Sequence, residues 1–535
     1  MVQSTFAPPY TAPKSTAYNT RCFIPSPALD CYSSRSDEGP LGPTTSDLNP
    51  CLQCGMSVGS LLHMHGGLLR DNDYISAIPP ELLASIFQLA QCQDLEPEDD
   101  EDGEPAFISP ALEVATSHVS VYWRNVALTT RLLWRHISIS QRETVEKLRV
   151  YLSRSGQVPL YVRLDLVQAP GQPDALTEKV DLVFLHLARW GRFAIHSNIE
   201  TSELPIVSRL YDALAPSLEH LSLCINDVDS VSLRSIRRAD FEQILTKGCP
   251  RLSVLRLRGL SMHFFRPPLA NITTLYLEQT RGIFIGYDRF KHLLTASPAL
   301  AHLSIHDTII DEDEDMWPPD SFGCIPVPNL VSLRISIPGT LQHIFSDILI
   351  SISAPRLESL VLKEVGEAHL DRFFDLPDAA SKFPALRALT FCDFDYHSVE
   401  RLAKMCAALP SIRDFTCLHS TSYAPKILFM MANAAAVSIA GAPANPHPWP
   451  NLETLATTLD VKDLELARRA MECRRRLGYP LQLLRISDDV FESEYMEEED
   501  EDHLDWLQDN MAVESFSGLG NWPPGSDYDP DDDLF

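Results

Sequence analysis

No stretch of the sequence approaches the roughly 18 to 20 uninterrupted apolar residues that a membrane helix requires. The opening, MVQSTFAPPYTAPKSTAYNT, also lacks the charged start and long apolar run of a secretory signal. Both absences point to the cytoplasm, the nucleus or both, with no membrane partner. Signatures of catalysis are sparse: there is no H-E-x-x-H pair, no G-x-x-x-x-G-K phosphate loop and no G-x-G-x-x-G turn. Basic residues are in the minority as well, and the run Arg474-Arg475-Arg476 falls on a predicted helix whose polar face must be exposed anyway. Lys and Arg total 44 against 73 Asp and Glu, giving a net charge of -29. Eighteen of the acidic residues lie in 488–535 and eight in 94–104, neither stretch holding a Lys or Arg, so the remaining body is close to neutral. A nucleic-acid groove needs clustered cations to displace counterions from phosphates, and a near-neutral body with two acidic segments argues against one.

The 12 cysteines follow no regular spacing, and several sit inside apolar phrases, as Cys224 and Cys392 do, which fits reduced buried thiols rather than a disulfide framework. Cys51-x-x-Cys54 followed by His63 and His65 offers zinc-type ligands, but the spacing matches no common finger and reads as linker. The run at 98–103 fails as a calcium loop because Ser109 stands where the twelfth-position carboxylate belongs, and the acidic run at 311–315 lacks a glycine turn. No metal and no cofactor is expected.

The chain that remains falls into four parts. Residues 1–73 open with eight prolines in the first fifty positions and no sustained periodicity, and are expected to be disordered. From Tyr74 the chain turns helical. Pro79 and Pro80 suit a first helical turn, where an N–H would have no partner, and Leu82, Leu83, Ile86 and Phe87 then recur at helical spacing. An acidic insertion at 93–110 separates this helix from a second, on which Val119, Trp123 and Val126 share a face, and a third short element carries Leu132 and Trp134. These pieces predict a small all-α module over 74–139, marginal by itself unless it packs on a partner or on the rest of the chain.

Over 140–487 one phrase dominates. It reads PSLEHLSL at 216–223 and returns as PRLSVLRL, ANITTLYL, PALAHLSI, PNLVSLRI, PRLESLVL, PALRALTF, PSIRDFTC and PNLETLAT. The nine copies start 20 to 40 residues apart. Two apolar positions lie two residues apart in each, so a strand points both to one side and stacked copies bury them together. Segments such as RFKHLLTAS and SVERLAKMCAAL supply intervening helices. The expectation is an irregular α/β leucine-rich-repeat solenoid, because only the first copy, with Asn226, completes the asparagine position of the longer consensus. Strands at 158–166 and 189–197 begin the array, and a helix stopped by Gly478 precedes a last strand at 479–486. Residues 488–535 read as a disordered acidic tail, in which Trp506 and Leu507 are the marked apolar feature.

The helical region resembles the F-box. Ile78-Pro79-Pro80-Glu81-Leu82-Leu83, Ile86-Phe87, Val119-x-x-x-Trp123-Arg124-x-Val126 and Leu132-Leu133-Trp134 stand in that family's order. The chain from 74 to 487 looks like the fungal F-box proteins with leucine-rich-repeat-like C-terminal regions. The resemblance implies a non-enzymatic role as substrate-recognition subunit of a Skp-cullin-F-box type ubiquitin ligase. Ile78, Pro79, Pro80, Glu81, Leu82, Leu83, Ile86, Phe87, Val119, Trp123, Val126, Leu132 and Trp134 would then dock on a Skp-type adaptor, and through it on a cullin. A protein substrate would be held on the strand face, where Glu219, Arg256, Tyr276, Arg334 and Glu358 are the natural contacts. The insertion departs from the family pattern, and leaves open a repeat scaffold whose degenerate box recruits no ligase.

Overall fold

The computed structural model describes residues 78–523 except for connecting segments, the longest being 94–110, 226–241, 310–323 and 434–447. The predicted disorder of 1–73, the acidic insertion, Asn226 and the candidate ligands Cys51, Cys54, His63 and His65 lie outside the described residues.

The recurring phrase acquires a mechanism. In seven copies the proline is the second residue of a β-turn. The N–H of Leu218, Leu252, Leu300, Leu330, Leu357, Leu386 or Leu452 donates to the carbonyl three residues back, that of Ala215, Cys249, Ser297, Val327, Ala354, Phe383 or Trp449. Proline's fixed φ suits that position, and its missing N–H is not needed there. The copy without proline makes the same turn, from Ile272 to Leu269. Each turn drives the first apolar side chain inward and delivers the chain into a strand.

Fourteen strands form one parallel sheet whose spatial order is the chain order. They are β1 (His136–Ile139), β2 (Leu160–Asp165), β3 (Trp190–Ser197), β4 (His220–Ile225), β5 (Val254–Gly259), β6 (Thr274–Glu278) and β7 (His302–His306). Next come β8 (Ser332–Ser336), β9 (Ser359–Lys363), β10 (Ala388–Cys392), β11 (Asp414–Leu418), β12 (Thr454–Thr457), β13 (Leu483–Ser487) and β14 (Ala512–Phe516). The register is in phase: Leu221 faces Leu255, which faces Leu275, Leu303, Leu333, Leu360 and Leu389 in turn, with Leu223, Leu257, Leu277, Ile305, Ile335, Leu362 and Phe391 as the second row. Both rows are fully buried. Parallel strands need crossovers on one hand, and the intervening helices cover that side. Among the described residues, the helices of eight residues or more are α1 (Pro80–Gln93), α2 (Leu112–Val119), α3 (Val121–Thr129), α4 (Val145–Arg154), α5 (Pro173–Phe184), α6 (Tyr287–Thr295), α7 (Ile344–Ser351), α8 (Val399–Ala408), α9 (Leu464–Arg476) and α10 (Glu498–Asn510).

The expected fold, a small all-α F-box-like helical module followed by an irregular leucine-rich-repeat solenoid and a disordered acidic tail, is overturned. The described chain is one α/β unit built on the long parallel sheet, and residues 74–535 cluster as a single body. No separate helical domain stands at the N-terminal end of the described residues, because α1 to α3 bury their inner face in the sheet's own core. Leu83, Phe87, Val126, Leu133 and Trp134 belong to the same apolar cluster as Ile137, Tyr151 and Val162. A buried polar node locks the joint. Glu113 of α2 accepts from the Tyr151 hydroxyl of α4 at 2.6 Å and from Gln91 Nε2 of α1 at 3.0 Å.

The acidic tail is corrected in the same way. Over its described residues it forms, instead of disorder, α10 and a fourteenth strand, β14, paired in parallel with β13, while residues 524–535 lie outside the described residues. Leu507 of α10 is fully buried, Trp506 lies 5.3 Å from the Arg468 guanidinium of α9, and Arg475 of α9 bonds to Asn510. α9 does stop at Gly478, whose φ of 85° only glycine adopts without strain.

Candidate functional site

Two surfaces carry the residues singled out by the sequence. The first is the helical edge beside β1. Leu82 and Ile86 are 58% and 50% exposed, and Val119 is 54% exposed. Pro79, Pro80 and Glu81 are exposed too, while Ile78, Trp123 and Leu132 are half-buried. Leu83, Phe87, Val126 and Trp134 face the other way and offer no atoms to a partner. Trp134 donates its indole N–H to the Ala127 carbonyl at 2.9 Å and meets Tyr151 edge-on at 5.1 Å, while Phe87 packs on Trp123 at 5.0 Å. Helical spacing divides α1: Leu83 and Phe87 point inward, Leu82 and Ile86 outward. The outward stripe continues through Leu89, 69% exposed, which sequence reasoning passed over although it lies seven residues after Leu82. The Tyr122 hydroxyl donates to the Ile78 carbonyl at 2.6 Å, tying the turn that carries exposed Val119 and Val121 to the start of α1.

The second surface is the sheet face opposite the helices. Parallel pairing places Arg256, Tyr276, Ser304 and Arg334 at directly matched positions on β5 to β8. Three of the five residues expected to meet a substrate therefore stand in one row, but each is almost wholly buried. Trp522, from beyond β14, covers Tyr276 and Arg334. Its ring packs edge-on against Tyr276 at 5.4 Å and His302 at 6.0 Å, under the Arg334 guanidinium at 4.3 Å. Its indole N–H donates to Ser332 Oγ at 2.8 Å. Ser304 makes the slot possible: strands lie about 4.8 Å apart, and its small side chain lets Arg334 lie across it, Nε donating to Ser304 Oγ at 2.7 Å. Arg256 lies 4.4 Å from the Tyr276 ring centre and pairs with buried Glu278 at 3.3 Å.

Glu219 and Glu358, the other two expected contacts, precede β4 and β9 at the sheet's rim and are ion-paired with Arg251 and Arg387. Glu358 also lines a cavity of about 800 Å³ with His302, Ser332, Arg387, Arg413 and Glu453, so that the cavity adjoins the Trp522 slot at His302 and Ser332. Burial holds the imidazoles of this face below their ordinary value, His306 at about 4, so both His302 and His306 are neutral near pH 7. The face thus combines aromatic rings, buried guanidinium groups and neutral imidazoles, a chemistry suited to gripping an aromatic or acidic peptide side chain. Trp522, His302, Ser304 and Ser332 were not foreseen. The register of the repeats could have supplied the last three; no local signal supplies the first.

No protein-family model matches the chain, and no curated protein matches it. Among the described residues, no group of three or more His, Cys, Asp or Glu is placed to hold a metal ion, and no helix is long and apolar enough to cross a membrane. One G-x-S-x-G pattern, Gly55-Met56-Ser57-Val58-Gly59, occurs outside the described residues.

Proposed function

We propose that the chain is a non-catalytic substrate-recognition subunit of a Skp-cullin-F-box type ubiquitin ligase, working in the cytoplasm or nucleus. In this reading the exposed stripe of α1 docks on a Skp-type adaptor and the sheet face holds a protein substrate. The observation that carries it is the outward row Leu82, Ile86 and Leu89, half or more exposed on a helix whose other apolar face is already committed to the core. An amphipathic helix with two apolar faces has one left for a partner groove. Activity then consists of positioning, raising the local concentration of substrate lysines near a charged conjugating enzyme supplied by other subunits. The deciding experiment is co-purification of the full chain with a Skp-type adaptor. Capture by the wild-type chain and loss on Leu82→Asp with Ile86→Asp are expected, and equal capture by the double variant would count against the docking face.

A second reading is a repeat scaffold with no ligase role. It is favoured by the burial of Leu83, Phe87, Val126 and Trp134, which leaves only part of the box pattern accessible. It expects no adaptor binding by the wild-type chain, or binding only once residues 93–110 are deleted.

A further inference from the structure

The slot between β6 and β8 is built for an indole. We propose that it recognises a tryptophan-bearing acidic segment of a partner protein, and that the chain's own C-terminal segment occupies it in cis through Trp522. That side chain is 8% exposed and reaches Ser332, 190 positions away in sequence. It does so from a terminal segment that leaves the sheet at Phe516, only six residues earlier. The grip comes from side chains of the sheet face: Tyr276 and His302 edge-on, Arg334 over the ring, Ser332 accepting the N–H. Such an aromatic anchor in a desolvated slot is the usual carrier of binding energy in a protein interface.

Charge selects the residues after the tryptophan. Arg256 and Arg334 lie in the slot row itself, and Arg258 and Lys363 stand one outward position further along their strands. After Trp522 the sequence carries Asp527, Asp529, Asp531, Asp532 and Asp533 and no cation. A partner with an exposed tryptophan followed by several carboxylates offers the same chemistry in trans. Because the cis segment is tethered by a short link, its effective concentration is of millimolar order, so a partner must compete with it.

The test uses a fluorescein-labelled peptide of residues 518–535 and anisotropy, with three forms of the protein: full chain, full chain with Trp522→Ala, and a chain ending at Phe516, which keeps β14. The chain ending at Phe516 should bind the peptide about 100-fold more tightly than the full chain, as a millimolar-order tether competing with a peptide of roughly ten-micromolar affinity requires. Trp522→Ala should recover much of that gain. A peptide with Trp522→Ala, or with the five Asp changed to Asn, should lose binding to the shortened chain. If the three proteins bind alike, or none binds, the proposal is overturned. If the shortened chain does not fold, Trp522→Ala decides: a folded variant with no gain in peptide binding overturns the proposal, as does an unfolded one, since Trp522 is then a core residue and not an occupant. The assay contains no adaptor, so its outcome is separate from that of the ligase reading.

Discussion

Replacing Glu113 by Ala should weaken the sheet's first strands as much as the helix that carries the residue. The buried Glu113 carboxylate joins three elements, accepting from Tyr151 of α4 at 2.6 Å and from Gln91 of α1 at 3.0 Å, while Gln91 also donates to the Leu133 carbonyl at 3.0 Å. Burial, with the bond to Glu113, pushes the Tyr151 hydroxyl far above its ordinary value, so it remains a donor at every working pH. Hydrogen bonds to a charged acceptor contribute about 1.5 to 3 kcal/mol each, and part of that is offset when the carboxylate no longer has to be buried. The net loss should be about 2 to 4 kcal/mol, which lowers hydrogen-exchange protection by roughly 30- to 1,000-fold. The assay is native-state exchange resolved by segment. Protection should fall together in α1, α4, β1 and β2, and a double-mutant cycle with Tyr151→Phe should return a coupling above about 1 kcal/mol. Loss confined to α1 and α2, with β1 and β2 unmoved, would refute the integration of helices and sheet.

Two further outcomes test the packing. Burial, aided by the guanidinium groups of Arg135 and Arg192, holds His136 at about 4 against 6.5 in an unfolded chain. Between those values the unfolded state binds a proton that the folded state refuses, so this contribution is complete above pH 6.5 and is lost as pH falls toward 4, by up to about 3 kcal/mol. His136→Phe should flatten the stability profile across that window in urea titrations. Arg474, fully buried, donates to the carbonyls of Pro448, Trp449 and Leu452 at 3.0, 3.3 and 3.3 Å. Arg474→Met strands those acceptors and should cost about 3 kcal/mol in thermal or denaturant unfolding, whereas Arg476→Met, at an exposed position, should cost less than about 0.5 kcal/mol.

Much of the sheet was legible because one constraint repeats. A phrase with two apolar residues two apart, in most copies opened by a proline turn, can satisfy itself only by stacking on its neighbours, and all nine copies became adjacent strands in chain order. The phrase does not encode where the array ends. The segment 498–510 carries so many carboxylates that composition suggests disorder, yet burial of Leu507 against α9 and the contact of Trp506 with Arg468 are enough to order it as α10. β14 was missed because Ala512–Phe516 is an edge strand with mostly exposed side chains and no proline turn before it. The box residues were legible as a helix but not as to facing. Leu82 and Leu83 are equally apolar, and only packing against α2, α3 and the Arg131–Trp134 turn sends one outward and the other in. Arg256, Tyr276 and Arg334 stand in one row of the sheet, as the repeat spacing implies, but the cover that Trp522 lays on Tyr276 and Arg334 is a long-range contact without local signature.

The docking face is tested most directly by calorimetric titration of the full chain with a purified Skp-type adaptor. Saturable binding by the wild-type chain is expected. Leu82→Asp with Ile86→Asp should weaken it at least about 100-fold, since two buried aliphatic side chains contribute about 1.5 to 3 kcal/mol each, at unchanged thermal stability because both are half exposed in the free chain. Absence of wild-type binding, or binding that the double variant leaves intact, would contradict docking through this stripe.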